Sequence, residues 1–133
     1  MQKRKIHQTA HPTEAELSIL DVLWKLGPCT VRQVHEVLEP TRGTGYTTVL
    51  KLMQIMVAKG LVERDESRRS HVYRAAPSRR STQSALLRDL MDRAFSGSAS
   101  QLVLRALSTK RATPAEIAEI RQMLDRLEKE QQR

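Results

Sequence analysis

The apolar positions of the chain follow two periods. Most recur every three or four residues, as on one face of a helix, while one short region alternates every second residue, as in a strand. The first helical run, about 14–25, places Leu17, Leu20, Val22, Leu23 and Trp24 at helical spacing and breaks at "LGPCT", where Gly27 and Pro28 stand. A second, about 31–38, is expected to bury Val31, Val34, Val37 and Leu38 and to stop near Pro40. In the third, Val49, Leu52, Met53 and Met56 share one face and Thr47, Lys51, Gln54 and Ala58 the other, up to Gly60.

After Gly60, "LVERDESRRSHVYRAA" reads as a hairpin: a strand near 61–65, a polar tip at 66–70 and a return strand near 71–75, closed by Pro77. Strand signals then end. Three further helices are expected at about 79–95, 99–108 and 114–132, with Gly97 and "STKRAT" as joints. Helix starts carry the capping-box pattern, Ser or Thr followed three residues later by Glu or Gln: Thr13 with Glu16, Thr30 with Gln33, Ser98 with Gln101 and Thr113 with Glu116.

Helix, short connection, helix, third helix and two-stranded wing, in that order, describe a winged helix-turn-helix. The expected fold is mainly α with a small β-hairpin wing, a winged helix-turn-helix domain followed by an α-helical dimerisation domain. The expected divisions are a flexible basic arm at 1–12, holding Lys3, Arg4 and Lys5, a winged-helix DNA-binding domain at 13–77, and a helical dimerisation domain at 78–133.

Charge sharpens the picture. The 133 residues carry a formal net charge of +8, which calls for an acidic partner such as nucleic acid or an anionic membrane surface. Nine basic residues against three acidic ones lie between Arg42 and Arg80, six of the nine on the third helix and the wing, which favours DNA over a merely solvated face. Aromatic residues make up only 3% of the chain, so the core must be aliphatic. The lone Cys29 excludes an internal disulfide, and no apolar run approaches the roughly twenty residues that span a bilayer. With no hydrophobic leader in "MQKRKIHQTAHPT", the expected location is the cytoplasm.

The third helix opens with two threonines, poor helix formers because their β-branched side chains lose freedom there. A reading surface explains them. In a winged helix the tip of this helix enters the major groove, where a Thr hydroxyl meets phosphate or a base edge and its methyl packs on thymine. The candidate contacts are Tyr46, Thr47, Thr48, Lys51 and Gln54, with Gln54 suited to adenine and Lys51 to guanine or phosphate. Each has a plainer alternative: Thr48 as a cap, Tyr46 packed on the wing, Gln54 as a solvated residue. Arg68 and Arg69 at the wing tip suit phosphate or the minor groove, and Arg42 and Arg74 are secondary candidates.

Catalytic constellations are absent from the sequence. His7, His11, His35 and His71 show no H-E-x-x-H spacing, Cys29 has no evident partner, and "GTG" at 43–45 is too short for a phosphate loop. The expectation is no enzyme, no cofactor and no metal site. His35 reads as a surface or core-edge residue.

The stretches "PTEAELSILDVLWKLGPCTVRQVHEVL", "YTTVLKLMQIMVAKGLVER" and "FSGSASQLVLRALSTKRATPAEIAEIRQMLDRL" resemble the penicillinase-repressor and methicillin-resistance-repressor family (BlaI/MecI/CopY). The resemblance implies a homodimeric transcriptional repressor whose winged helices bind the two halves of a palindromic operator in double-stranded DNA, often beside antibiotic-resistance genes. It further implies derepression, in some members, by cleavage in the dimerisation domain linked to a membrane sensor metalloprotease. The comparable bond here is Arg105–Ala106, where the cleaved members carry Asn then Phe. The paired C-terminal cysteines of the copper-responsive members are absent.

The C-terminal helices carry more aliphatic surface than three short helices can cover alone, which points to dimerisation. Leu86, Leu90, Leu102, Leu104, Leu107, Ile120, Leu124 and Leu127 are the candidate dimer core, with an intrachain helical core as the alternative for each. The rival function is a winged-helix protein-interaction module without specific DNA recognition, since fold does not fix function.

Overall fold

The structure, a computed structural model, describes residues 11–133. Residues 1–10 of the expected basic arm, with Lys3, Arg4 and Lys5, lie outside the described residues. Along the chain run α1 (Glu14–Leu26), α2 (Val31–Arg42), α3 (Tyr46–Lys59), β1 (Val62–Asp65), β2 (Val72–Ala75), α4 (Arg79–Ala94), α5 (Ala99–Thr109) and α6 (Pro114–Gln131). The architecture is a winged helix followed by helices, as the periodicity predicts.

Every helix but α3 starts where a side chain satisfies a free amide. Thr13, Thr30 and Thr113 accept from the amides of Glu16, Gln33 and Glu116, whose side chains bond back to the cap amides, completing three capping boxes. Ser98 makes only the forward bond, from the Gln101 amide. The amide of Ser81 finds the Ser78 hydroxyl at 3.0 Å ahead of α4.

Pro40 does not stop α2, contrary to the sequence expectation. It sits inside the last turn, where the missing amide removes a single ladder bond, and the helix continues to Arg42 before Gly43 ends it in the left-handed conformation. Val37, expected inside, is exposed. Gly60, with φ of 80°, ends α3 the same way and turns the chain directly into β1.

The core of the winged helix gathers Ile19, Leu20 and Leu23 from α1, Val31, Val34 and Leu38 from α2, and Val49, Met53 and Met56 from α3, closed by Leu61, Val62 and Tyr73. Full burial of such a side chain is worth about 1.5–3 kcal/mol, and six of them are sealed from solvent. Leu17, Trp24 and Leu52, expected inside, pack at the edge of this cluster. The core also takes in Ile19, Cys29 and Tyr73, which the spacing of apolar positions does not single out.

β1 and β2 pair antiparallel, Val62 opposite Ala75 and Asp65 opposite Val72. The α1–α2 connection adds a short third rung, because Cys29 and Tyr73 exchange both backbone bonds at 2.9 and 2.7 Å. Two compact units result, one reaching to Leu87 and one from Arg88 to Arg133. The division falls within α4, past the Pro77 expected from sequence, because the first turns of α4 pack on the winged helix and bury Thr82. In the second unit, α5 and α6 bury no residue.

Candidate nucleic-acid interface

α3 presents two unlike faces. Val49, Met53 and Met56 turn into the core, so Thr47, Lys51 and Gln54, a third of a turn or more away, face solvent. Its N-cap is Gly45, which makes no side-chain bond, and Tyr46 is its first residue. Val49 is the first residue of the helix to find a backbone acceptor, Gly45 O at 3.1 Å. The amides of Tyr46, Thr47 and Thr48 therefore point from an uncapped, exposed tip, an arrangement that favours an anion.

Two of the plainer alternatives fall here. Thr48 does not cap α3, because Gly45 holds that position and Thr48 already lies within the first turn. Tyr46 does not pack on the wing: its ring stands edge-on to His35 of α2, at 5.8 Å and 86°. His35 is a core-edge residue, 4.0 Å from Glu39 Oε2, and its buried Nε2 has no hydrogen-bond partner. The tip of α3 thus rests on α2 through a contact between residues eleven apart, which no local spacing signals.

The wing supplies the second basic group. Arg64 pairs with Glu66 at 2.7 Å and Arg74 with Glu63 at 2.9 Å, so Arg74 already has a carboxylate beside it. The Tyr73 hydroxyl, then Glu66, hold the Arg64 guanidinium above its ordinary pKa. The amide of Ser67 donates to Asp65 Oδ1 at 2.9 Å and folds the tip back. That bond, with the Ser67 side chain and then the charges of Arg68 and Arg74, holds the Asp65 carboxyl below the usual carboxylate range. Arg68 and Arg69 occupy the exposed turn beyond these pairs, and Arg42, at the end of α2, is exposed as well.

The uncapped tip of α3 and the basic wing turn thus belong to one compact unit, with the polar face of α3 between an apolar core and solvent. Such a surface can hold phosphate at its tip and present Thr, Lys and Gln side chains to base edges. Burial leaves Cys29 with a raised thiol pKa and its Sγ against Gly27 O at 3.3 Å, an inert position. Among the described residues no group of three or more His, Cys, Asp or Glu is placed to hold a metal ion, and no helix is long and apolar enough to cross a membrane.

Residues 12–126, nearly all of both units, match the family described as penicillinase repressor. The chain belongs to the penicillinase repressor family. The transcriptional regulator BlaI of Mycobacterium tuberculosis, from two strains, is 34% identical over 92 residues, which cover 68% of this chain and 67% of the relative. A solved structure described as a probable transcriptional regulator from Pseudomonas aeruginosa is 18% identical, with a TM-score of 0.46 over 93% of this chain and 92% of that one. The family match reaches from Pro12, just ahead of the first cap, into α6, so the chain carries the family pattern through both its winged helix and its C-terminal helices.

Proposed function

We propose that the chain is a sequence-specific DNA-binding transcriptional repressor, not an enzyme, that acts in the cytoplasm as a homodimer on a palindromic operator. The observation that carries this reading is the uncapped tip of α3, where free amides, Thr47 and Thr48 stand exposed in the same unit as the basic wing turn. Membership of a repressor family supports it. Thr47, Lys51 and Gln54 face base edges. Tyr46, Thr48 and the tip amides hold phosphate, as do Arg42, Arg68 and Arg69, with Arg74 in a lesser part.

The partner in dimerisation is a second copy. Leu90, Leu104, Leu107, Leu124 and Leu127 are all more than two-fifths exposed, while Leu86, Leu102 and Ile120 are half-buried, which supports a joining face on a second copy over an intrachain core. If each monomer holds one half-site weakly, joining two raises occupancy through effective concentration. Release by proteolysis, with a membrane sensor metalloprotease as partner, is the route of induction that the family resemblance implies. Arg105–Ala106 lies inside α5, so cleavage there requires local unwinding of that helix.

Selection of bound duplexes from a random pool, at fixed salt, tests the reading. A palindromic motif that changes with Thr47→Ala and is weakened as a whole by Arg68→Ala/Arg69→Ala is the expected result. Salt-sensitive binding to every duplex, with no enriched motif, overturns it in favour of a general polyanion or protein-interaction surface.

A further inference from the structure

Trp24, Asp21, Pro77 and Arg79 meet where the winged helix hands the chain to α4. Trp24 Nε1 donates to the Pro77 carbonyl oxygen at 3.0 Å, across 53 positions of sequence. The Arg79 guanidinium lies over the same indole, 5.2 Å from the ring centroid, and its Nη1 reaches Asp21 Oδ1 at 3.0 Å. Asp21 also accepts from Lys25 at 3.1 Å; that bond is the largest cause holding its carboxyl below the usual range, and Arg79 adds to it. Thr82, next along α4, is buried.

These contacts are directional and fall on the first turn of one helix and the residue pair leading into it. A single contact would let the start of α4 pivot; a hydrogen bond, a cation over a ring and an ion pair from different directions hold its first turn on α1. None of the four residues belongs to the polar face of α3 or to the wing, and the aliphatic core closes without Arg79 or Pro77. Their cost in order is explained if the direction of α4 matters, and α4 carries Leu86 and Leu90 of the proposed dimer core.

We propose that Trp24 and Arg79 form a latch that positions α4 for paired half-site binding, so that the gain from joining two copies is concentrated at one half-site separation. This rests on the dimeric repressor reading given above. Effective concentration is greatest when a connection is stiff and matched to its span, and it spreads over many separations when the connection can pivot. Trp24 and Arg79 are thereby positioning residues: they act through α4 and touch no base.

The test uses full-length wild type, Trp24→Phe and Arg79→Gln. Trp24→Phe keeps an aromatic ring beneath Arg79 and removes the N–H; Arg79→Gln removes the charge from both the ring and Asp21, and carries the test if the first variant fails to fold. Each protein is titrated onto duplexes with one selected half-site and with two half-sites at a series of separations, and its self-association is followed by sedimentation. Single half-site affinity and self-association are expected to match wild type, while the preference for the optimal separation over its neighbours falls about tenfold. A folded variant that keeps the wild-type separation profile overturns the latch. Wild type that binds paired half-sites no better than one overturns instead the dimeric reading on which the latch depends.

Discussion

Lys59 Nζ lies 2.6 Å from Glu16 Oε1, tying the last residue of α3 to the first turn of α1. Glu16 serves twice, since the same carboxylate oxygen accepts the Thr13 amide of the capping box at 2.9 Å. Its side chain is only 3% exposed against 26% for Lys59, so the two partners are not equivalent. The pair holds the helix that carries the candidate reading surface against the helix that carries Trp24.

That asymmetry predicts an order of mutational effects. Lys59→Met leaves a buried carboxylate without its cation and is expected to destabilise the protein by about 3 kcal/mol. Glu16→Gln leaves a lysine that can turn to water and keeps an oxygen for the Thr13 amide, so it costs less. Urea unfolding of both variants checks the ranking; a larger loss in Glu16→Gln contradicts it.

The same pair sets a pH dependence. Burial opposes ionisation of Glu16, but the hydrogen bond from Lys59, the bond from the Thr13 amide and the Lys59 charge outweigh it and hold the carboxyl below its ordinary value. The unfolded chain therefore takes up the proton first as pH falls. The contribution is fully present above the unfolded value of about 4.3 and is lost as pH falls through the lower folded value. Wild type is expected to lose stability relative to Glu16→Gln over that window, and parallel unfolding curves for the two proteins there would refute the assignment.

Gly60 offers a purely backbone test. A Cβ at this position meets nothing within 4 Å, yet φ is 80°. Gly60→Ala is expected to cost about 1–2 kcal/mol through left-handed strain alone. Calorimetry should show a lowered melting temperature with no change in the selected DNA motif, because the substitution lies at the far end of α3 from Thr47.

The wing turn makes a separable prediction. If Arg68 and Arg69 each neutralise a phosphate, Arg68→Ala/Arg69→Ala lowers the slope of log affinity against log salt by about 2. Binding titrations across a salt series on one duplex read it directly. An unchanged slope removes both residues from the interface.

Leu124 is 54% exposed on a helix that buries nothing. Leu124→Asp is therefore expected to leave the helical circular dichroism intact and to shift the protein towards monomer in sedimentation, with weaker binding to a palindrome than to wild type's level. A variant that stays dimeric excludes Leu124 from the joining face.

Local chemistry is what the sequence determined. The Thr13, Thr30 and Thr113 caps, the face of α3 that holds Val49, Met53 and Met56, and the alternation that makes the wing all act within a few residues of themselves, so their positions follow from spacing. Thr47, Lys51 and Gln54 were legible as an outward face for the same reason. What only the tertiary structure decided involves partners distant in the chain. Glu16 meets Lys59, Cys29 meets Tyr73, Tyr46 rests on His35 rather than on the wing, and Trp24 reaches Pro77. Pro40 belongs with these, since packing of Leu38 and the cap at Gly43 carry α2 past a residue whose intrinsic preference is to end it. Periodicity tells each helix which face is apolar; only the assembled core tells it which neighbour that face meets.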